Sequence, residues 1–343
     1  MSDSYYGRPV LKPPAWDWRI PAYLFAGGLS AGATILATGA DLTGRPVSRR
    51  RGRFAAAAAL GASTYLLVSD LGRPGRFHHM LRVAKPTSPM SVGTWILAAY
   101  GPGVGLAAAV EALSARRRGT LAGRALTWAA RPAAATSAVV APALASYTAV
   151  LLSQTAVPAW NAAHPYLPFI FTGSAAASSG GLVMAAAPVA EAGPARTFAA
   201  AGAVAELVAS RVMERRLGLV GEAYASGTPH RLRQWSEYLT AGGLLGALAA
   251  RRSRIAAVAS GLALMAGSAL QRFGVFEAGV ASTRDPRYVV APQRERPEVA
   301  DRPARIRRPR ARIPAGRSTK AGGGDNPPPH ADWRGGPRRP RPR

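Results

Sequence analysis

Apolar runs recur along most of this chain, separated by short polar connections. Eight stand out, at residues 19–41, 54–70, 90–112, 132–153, 166–190, 195–213, 235–250 and 254–273. A bilayer core of about 30 Å takes about 20 apolar residues as α-helix, and most of these runs approach or exceed that length. The run at 235–250 is short, and the run at 195–213 ends in Arg211 and is followed by Glu214. The pattern predicts an all-α membrane protein, an eight-transmembrane-helix bundle. Small residues crowd the runs, among them Gly27, Gly28, Ala31 and Gly32 in the first and Ser178 and Gly181 in the fifth. In lipid such residues let helix backbones approach closely; an alanine-rich composition accounts for them equally well.

The connections give the runs a direction. RPVSRRRGR at 45–53, ARRRGTLAGR at 115–124 and RRSR at 251–254 are strongly basic, whereas PAWNAAHPYLP at 158–168 carries no Lys, Arg or acid. Cytoplasmic loops are enriched in Lys and Arg, so the first three are placed inside and the last outside. With eight spans both termini fall outside a cytoplasmic (inner) membrane. Residues 71–89 then also lie outside, yet they carry Arg73, Arg76, Arg82 and Lys85. Cations held against the bias pair with Asp70, meet an acidic partner or approach a ligand, or the loop folds on itself.

Charge sharpens the domain boundaries. Lys and Arg number 44 against 17 acids, a formal net charge of +27. The surplus sits at the junctions and in the Arg-, Pro- and Gly-rich segment 282–343. That composition predicts a disordered basic tail, solvated or in contact with anionic lipid. Nucleic acid is a poor partner for a chain dominated by spans. Residues 1–18 are polar and proline-rich with no early apolar region, so they read as an extramembrane segment and the first run as a retained helix. Residues 19–281 form the membrane domain.

The chain has no cysteine, which rules out disulfides, thiolate zinc sites and cysteine-ligated iron–sulfur clusters in this subunit. Its histidines, His78, His79, His164, His230 and His330, all lie outside the middle of a run. Haem in a bundle takes axial ligands projecting from helices, so a haem-bearing anchor is not expected. No metal constellation, phosphate loop or Ser-His-Asp arrangement is readable.

The chemistry concentrates in DLGRPGRFHHMLRVAKPTSPMSVGTW at 70–95. Asp70 closes the second run; His79, Lys85 and Ser88 follow. Tyr23 opens the first run with Trp16 and Trp18, and Tyr147, Ser153 and Gln154 occupy the outer half of the fourth. The topology puts all of these at one membrane level. A quinone needs an apolar slot, donors for its carbonyls and a proton route, and this group could supply them. Trp and Tyr at helix ends also serve as interfacial anchors. Asp70 fits a salt bridge with Arg73 as well as proton transfer. Glu111 and Glu191 read as charge partners at the inner side. Glu206, within the sixth run, is a candidate for a proton path, or an exposed acid if that segment is wet.

The sequence resembles the NrfD/PsrC-type integral membrane subunits of the polysulfide reductase family. The resemblance rests on YYGRPVLKPPAWDW leading into YLFAGGLSAGA at 5–33, the 70–95 stretch, YTAVLLSQTAVPAW at 147–160, and RFGVFEAG with DPRYVVAPQR at 272–293. It implies an eight-helix, quinone-reactive anchor with its site on the outer face. It implies a ferredoxin-like iron–sulfur partner, often beside a molybdopterin oxidoreductase, with the redox centres in the partners. Tyr23, Asp70 and Tyr147 match the family's pocket positions, while Gln154 stands where similar proteins have an acid. Menaquinone and ubiquinone are not distinguished. A structural anchor without quinone chemistry and a transporter are the competing classes; a transporter would show internal repeats or midplane charge, and no clear repeat is visible.

Overall fold

Eight helices of 20 residues or more organise the described residues, 11–113 and 115–295, of a computed structural model. In sequence order they are α1 (Arg19–Leu42), α2 (Pro46–Asp70), α3 (Pro89–Ala112), then, after the single turn α4 (Ala115–Arg118), α5 (Leu121–Ser153). The short α6 (Pro158–Ala162) leads into α7 (Leu167–Ala186) and α8 (Gly193–Arg216). The single turn α9 (Glu222–Ala225) precedes α10 (Gly227–Ala249), α11 (Arg254–Arg284) and a last helix, α12 (Arg287–Glu295). No strand occurs among the described residues.

Each predicted apolar run lies on one of the eight long helices, but length and apolarity qualify only α1, α3, α5, α7 and α11 as candidate spans. A sixth arises if α2 is joined to the 3-10 helix Pro74–Leu81, from which it is bent by 106°. The helices α8 and α10 are not among the candidates; they carry Arg211, Glu214, Arg233 and Glu237. These side chains pair across the two helices, Arg211 with Glu237 and Arg233 with Glu214. Two edges move. The helix α5 starts at Leu121, 11 residues before the expected edge, and continues through Pro132 and Pro142. The expected tail from 282 is helical to 295, through the end of α11 and α12; the rest of the tail lies outside the described residues, as do residues 1–10 of the N-terminal segment.

Small residues place α7 at the centre. Gly28 and Gly32 of α1 face Ala175 and Ser179, Gly173 abuts the Gly202 and Glu206 backbone of α8, and Gly181 meets Gly261 of α11. A Cβ at Gly173 would sit 2.7 Å from the Glu206 nitrogen, so here the small residues are packing devices and not only composition.

Bonds across the connections sort the bundle into two ends. At one, the Ser48 N–H donates to Glu191 Oε2 at 2.8 Å. There too the Arg254 guanidinium caps α7, donating to Met184 O at 3.1 Å and Ala187 O at 2.6 Å. A cation on the last carbonyls of a helix also meets the negative end of its dipole. All three basic connections gather at this end. At the other end the Trp160 Nε1–H donates to Val275 O at 2.8 Å, Tyr224 Oη to Ala159 O at 3.0 Å, and Trp16 stacks on Trp160 at 5.8 Å. This fastening uses the 147–160 and 272–293 stretches together. Gly279 is its tight point, since a Cβ there would land on the Trp160 indole. Gly279→Ala is expected to lower stability by about 1–3 kcal/mol through overpacking, read as a lower melting temperature in detergent. Gly242→Ala, with open space around its Cβ, is expected not to destabilise.

Candidate functional site

At the Trp160 end a cavity of about 240 Å³ lies between the start of α1, the end of α2, the start of α3 and the end of α5. One face of each helix builds it. From α2 come Leu60, Thr64, Leu67, Val68 and, just past the helix, Leu71; from α3 come Met90, Gly93, Thr94, Leu97 and Gly101. Both sets follow helical spacing. The 3-10 helix adds Phe77, Met80 and Leu81 as a roof. Phe77, Leu81 and Met90 are also exposed, so one wall of the cavity faces the surroundings of the bundle.

The polar groups inside are few and paired. The hydroxyls of Tyr23 and Tyr147, 124 positions apart in sequence, lie 2.8 Å from each other, and both side chains line the cavity. In such a pair one hydroxyl donates and the other accepts, so the acceptor keeps a proton of its own to offer. Ser63 Oγ donates to Tyr23 O at 3.1 Å and ties α1 to α2 beside the pair. Gly93 makes room for Tyr147: a Cβ there would clash with the edge of the ring, 2.8 Å from both Cδ2 and Cζ and closest to Cε2.

Asp70, half-buried, is the last residue of α2, next to the lining residue Leu71. Its charged surroundings are Asp17 and Arg19, and Arg19, not the expected Arg73, is the cation whose charge reaches it. Arg19 Nη1 also donates to Ser69 O at 3.2 Å, holding the start of α1 over the end of α2. His79 is exposed, edge-to-face with His78 at 4.5 Å between ring centres. The Lys85 side chain is exposed, and its backbone N–H donates to Ser91 Oγ at 2.9 Å. Ser88 caps α3, its Oγ accepting from the Ser91 N–H at 3.4 Å. The polar groups of this stretch therefore largely fold it on itself while its apolar groups cover the cavity. Gln154 is an exposed cap of α5.

Glu206 sits apart from the cavity, buried on α8 with Arg272 and Ser174 as its polar neighbours. It lines a narrow crevice with Ser210, Gln271, Glu214 and Arg233. Among the described residues no three His, Asp or Glu side chains gather as a metal site.

Sequence reasoning missed Gly93, Thr64 and the apolar roof. The i, i+3, i+4, i+7 spacing of Met90, Gly93, Thr94 and Leu97 was the available signal. It also missed Asp41, which bonds Arg49 and Arg53 at 3.2 and 3.0 Å at the far end.

Residues 10–220 match the family described as polysulphide reductase, NrfD. The chain belongs to that family. The matched region contains α1 to α8, and with them every wall of the cavity. This NrfD-family protein is also similar to the C subunit of the polysulfide reductase of Wolinella succinogenes, 37% identical over 93 residues. That similarity covers 25% of the present sequence and 29% of the relative's length. Family membership and the apolar helices make this an integral membrane protein.

Proposed function

We propose that this protein is the quinone-reactive membrane subunit of a multi-subunit oxidoreductase. It exchanges electrons between quinone or quinol and an iron–sulfur partner of the ferredoxin-like kind, with a molybdopterin oxidoreductase subunit beyond it. The carrying observation is the apolar cavity of about 240 Å³ into which the Tyr23–Tyr147 pair brings its aromatic hydroxyls. Small-molecule sites are mostly apolar with a few placed polar groups, and begin at about 300 Å³. A cavity slightly smaller than that suits a quinone head with its tail leaving past Phe77 and Met90. When bound, the quinone supplies the two-electron, two-proton couple. Tyr23 and Tyr147 supply a hydroxyl proton to a carbonyl oxygen and orient the ring. Leu67, Leu97 and the roof residues exclude water. Asp70 accepts or delivers protons at the rim, beside Asp17 and Arg19.

His79, Lys85 and Ser88 shape and close the roof segment in this reading. Glu206 serves as a proton-carrying group of the α8–α10–α11 side, through the crevice toward Glu214. All eight long helices cross the cytoplasmic membrane, α8 and α10 with their charges turned toward each other. The basic connections face the cytoplasm, and both termini lie outside.

Binding of a quinone analogue to the purified full-length protein tests the site. Wild type is expected to bind, and Tyr147→Phe to weaken binding about tenfold through loss of one hydrogen bond. Absence of binding by wild type would leave a structural anchor as the correct class. Asp70→Asn is expected to bind the analogue normally but to slow quinone-linked turnover of the assembled complex by about 10²-fold; unchanged turnover removes Asp70 from the mechanism.

A further inference from the structure

The end of the bundle opposite the cavity carries a second, differently built site. A void of about 540 Å³ is lined by Asp41, Arg49, Arg53, Glu111, Arg118 and Arg131, together with Thr127 and Trp128. Four guanidinium groups thus face two carboxylates. The carboxylates are well used: Glu111 Oε1 accepts from Arg49 Nε at 2.7 Å and Arg53 Nη1 at 3.0 Å, and Asp41 Oδ2 from Arg53 Nη2 at 3.0 Å. The guanidinium groups also have partners, Arg118 lying 3.8 Å from Glu111 and Arg131 3.5 Å from Asp41, but two of their donors are left over. Arg53 is 7% exposed, yet its Nε has no acceptor, and the buried Arg118 Nε has none either. Buried donors without an acceptor are costly. The site is short of negative charge and of acceptor atoms, next to a void large enough for a headgroup.

We propose that this pocket binds a phosphate group, that of an anionic phospholipid headgroup. Phosphate supplies the missing charge and several acceptor oxygens, and guanidinium forks match its geometry. The surroundings select a lipid as its source. Trp128, which lines the pocket, is 82% exposed, and Leu121 and Leu126 of the same helix are exposed too, which gives acyl tails an apolar surface and places an indole at headgroup level. The surplus of cations selects an anionic lipid over a zwitterionic one, because a choline ammonium would enter a positive pocket. The bound headgroup would join α1, α2, α3 and α5 at their cytoplasmic ends.

The test is native mass spectrometry of the detergent-purified full-length protein with phosphatidylglycerol, phosphatidylcholine or inorganic phosphate added. Wild type is expected to retain phosphatidylglycerol at least tenfold more strongly than phosphatidylcholine. Arg118→Gln/Arg131→Gln is expected to lose roughly 30-fold in retention, about 1 kcal/mol per arginine. Arg131→Gln alone, at a side chain 74% exposed and safe for folding, is expected to lose about fivefold. Arg51→Gln/Arg124→Gln, two exposed cations outside the pocket, is the control and retains lipid. Competition by inorganic phosphate at equal concentration would keep the phosphate chemistry and make a free anion its source. Equal retention of the two lipids, or retention unchanged in both pocket variants, overturns the proposal.

Discussion

Gly93→Ala is expected to reduce quinone-linked turnover of the assembled complex by about a hundredfold while the protein still accumulates in the membrane. A single methyl group has this reach because of where it would be. The added Cβ would lie closest to Cε2 of the Tyr147 ring and 2.8 Å from Cδ2 and Cζ, well inside van der Waals contact with the ring edge. Tyr147 must swing away, and the 2.8 Å bond to the Tyr23 hydroxyl breaks with it. Misplacing a positioning group by about 1 Å can cost about 10²-fold in rate, and relieving this clash takes a shift of that order. The matched control is Gly101→Ala, which lines the same cavity. Its Cβ would meet only Leu60 Cδ2, at an ordinary 3.8 Å, so turnover is expected to stay within about twofold of wild type. Turnover and analogue binding measured on both variants decide the matter. Equal activity in Gly93→Ala and Gly101→Ala would mean that the Tyr147 position is irrelevant.

Glu111→Gln is expected to cost about 3–5 kcal/mol of stability, the range for removing one partner of a buried ion pair. The Glu111 side chain is 4% exposed, with Arg49 at 2.7 Å and Arg53 at 3.0 Å. Neutralising it leaves the Arg53 charge, 8% exposed, with Asp41 as its one bonded carboxylate. A strongly lowered melting temperature, or failure to accumulate, is the expected readout. Arg49→Gln removes a more exposed cation from the same cluster and is expected to cost less, because its partners keep Arg53. A melting temperature for Glu111→Gln within a degree or two of wild type would show that water screens the cluster.

The helices were legible because apolar runs of about 20 residues leave a polypeptide few alternatives in lipid. What composition could not decide is which long helices cross the bilayer. The runs of α8 and α10 were counted as spans in spite of their charges; neither helix qualifies as a candidate span, and the charges pair across the two helices. The site was legible in part. Tyr23 and Tyr147 were singled out and do meet in one cavity. His79, Lys85 and Ser88 attracted attention as reactive types, but sequence gives no side-chain direction. The structure turns the first two outward and uses Ser88 as a cap. Conversely, Gly93 and the apolar roof carry no chemistry of their own, so a search for reactive groups passes over them. Asp70 was found, but its cation was assigned by sequence proximity to Arg73. In the structure the charges that act on Asp70 are instead Asp17 and Arg19 at the start of α1.

Under the proposed function, the bend of 106° between α2 and the 3-10 helix bears on how a quinone would enter the cavity. It lays Phe77, Met80 and Leu81 across the cavity, and leaves Phe77, Leu81 and Met90 exposed on its flank. A hydrophobic reactant arriving by that flank diffuses in two dimensions within the leaflet and never dissolves in water. Its occupancy then follows its mole fraction in the lipid. Diluting the preparation with buffer would leave saturation unchanged, whereas diluting it with added phospholipid would lower it.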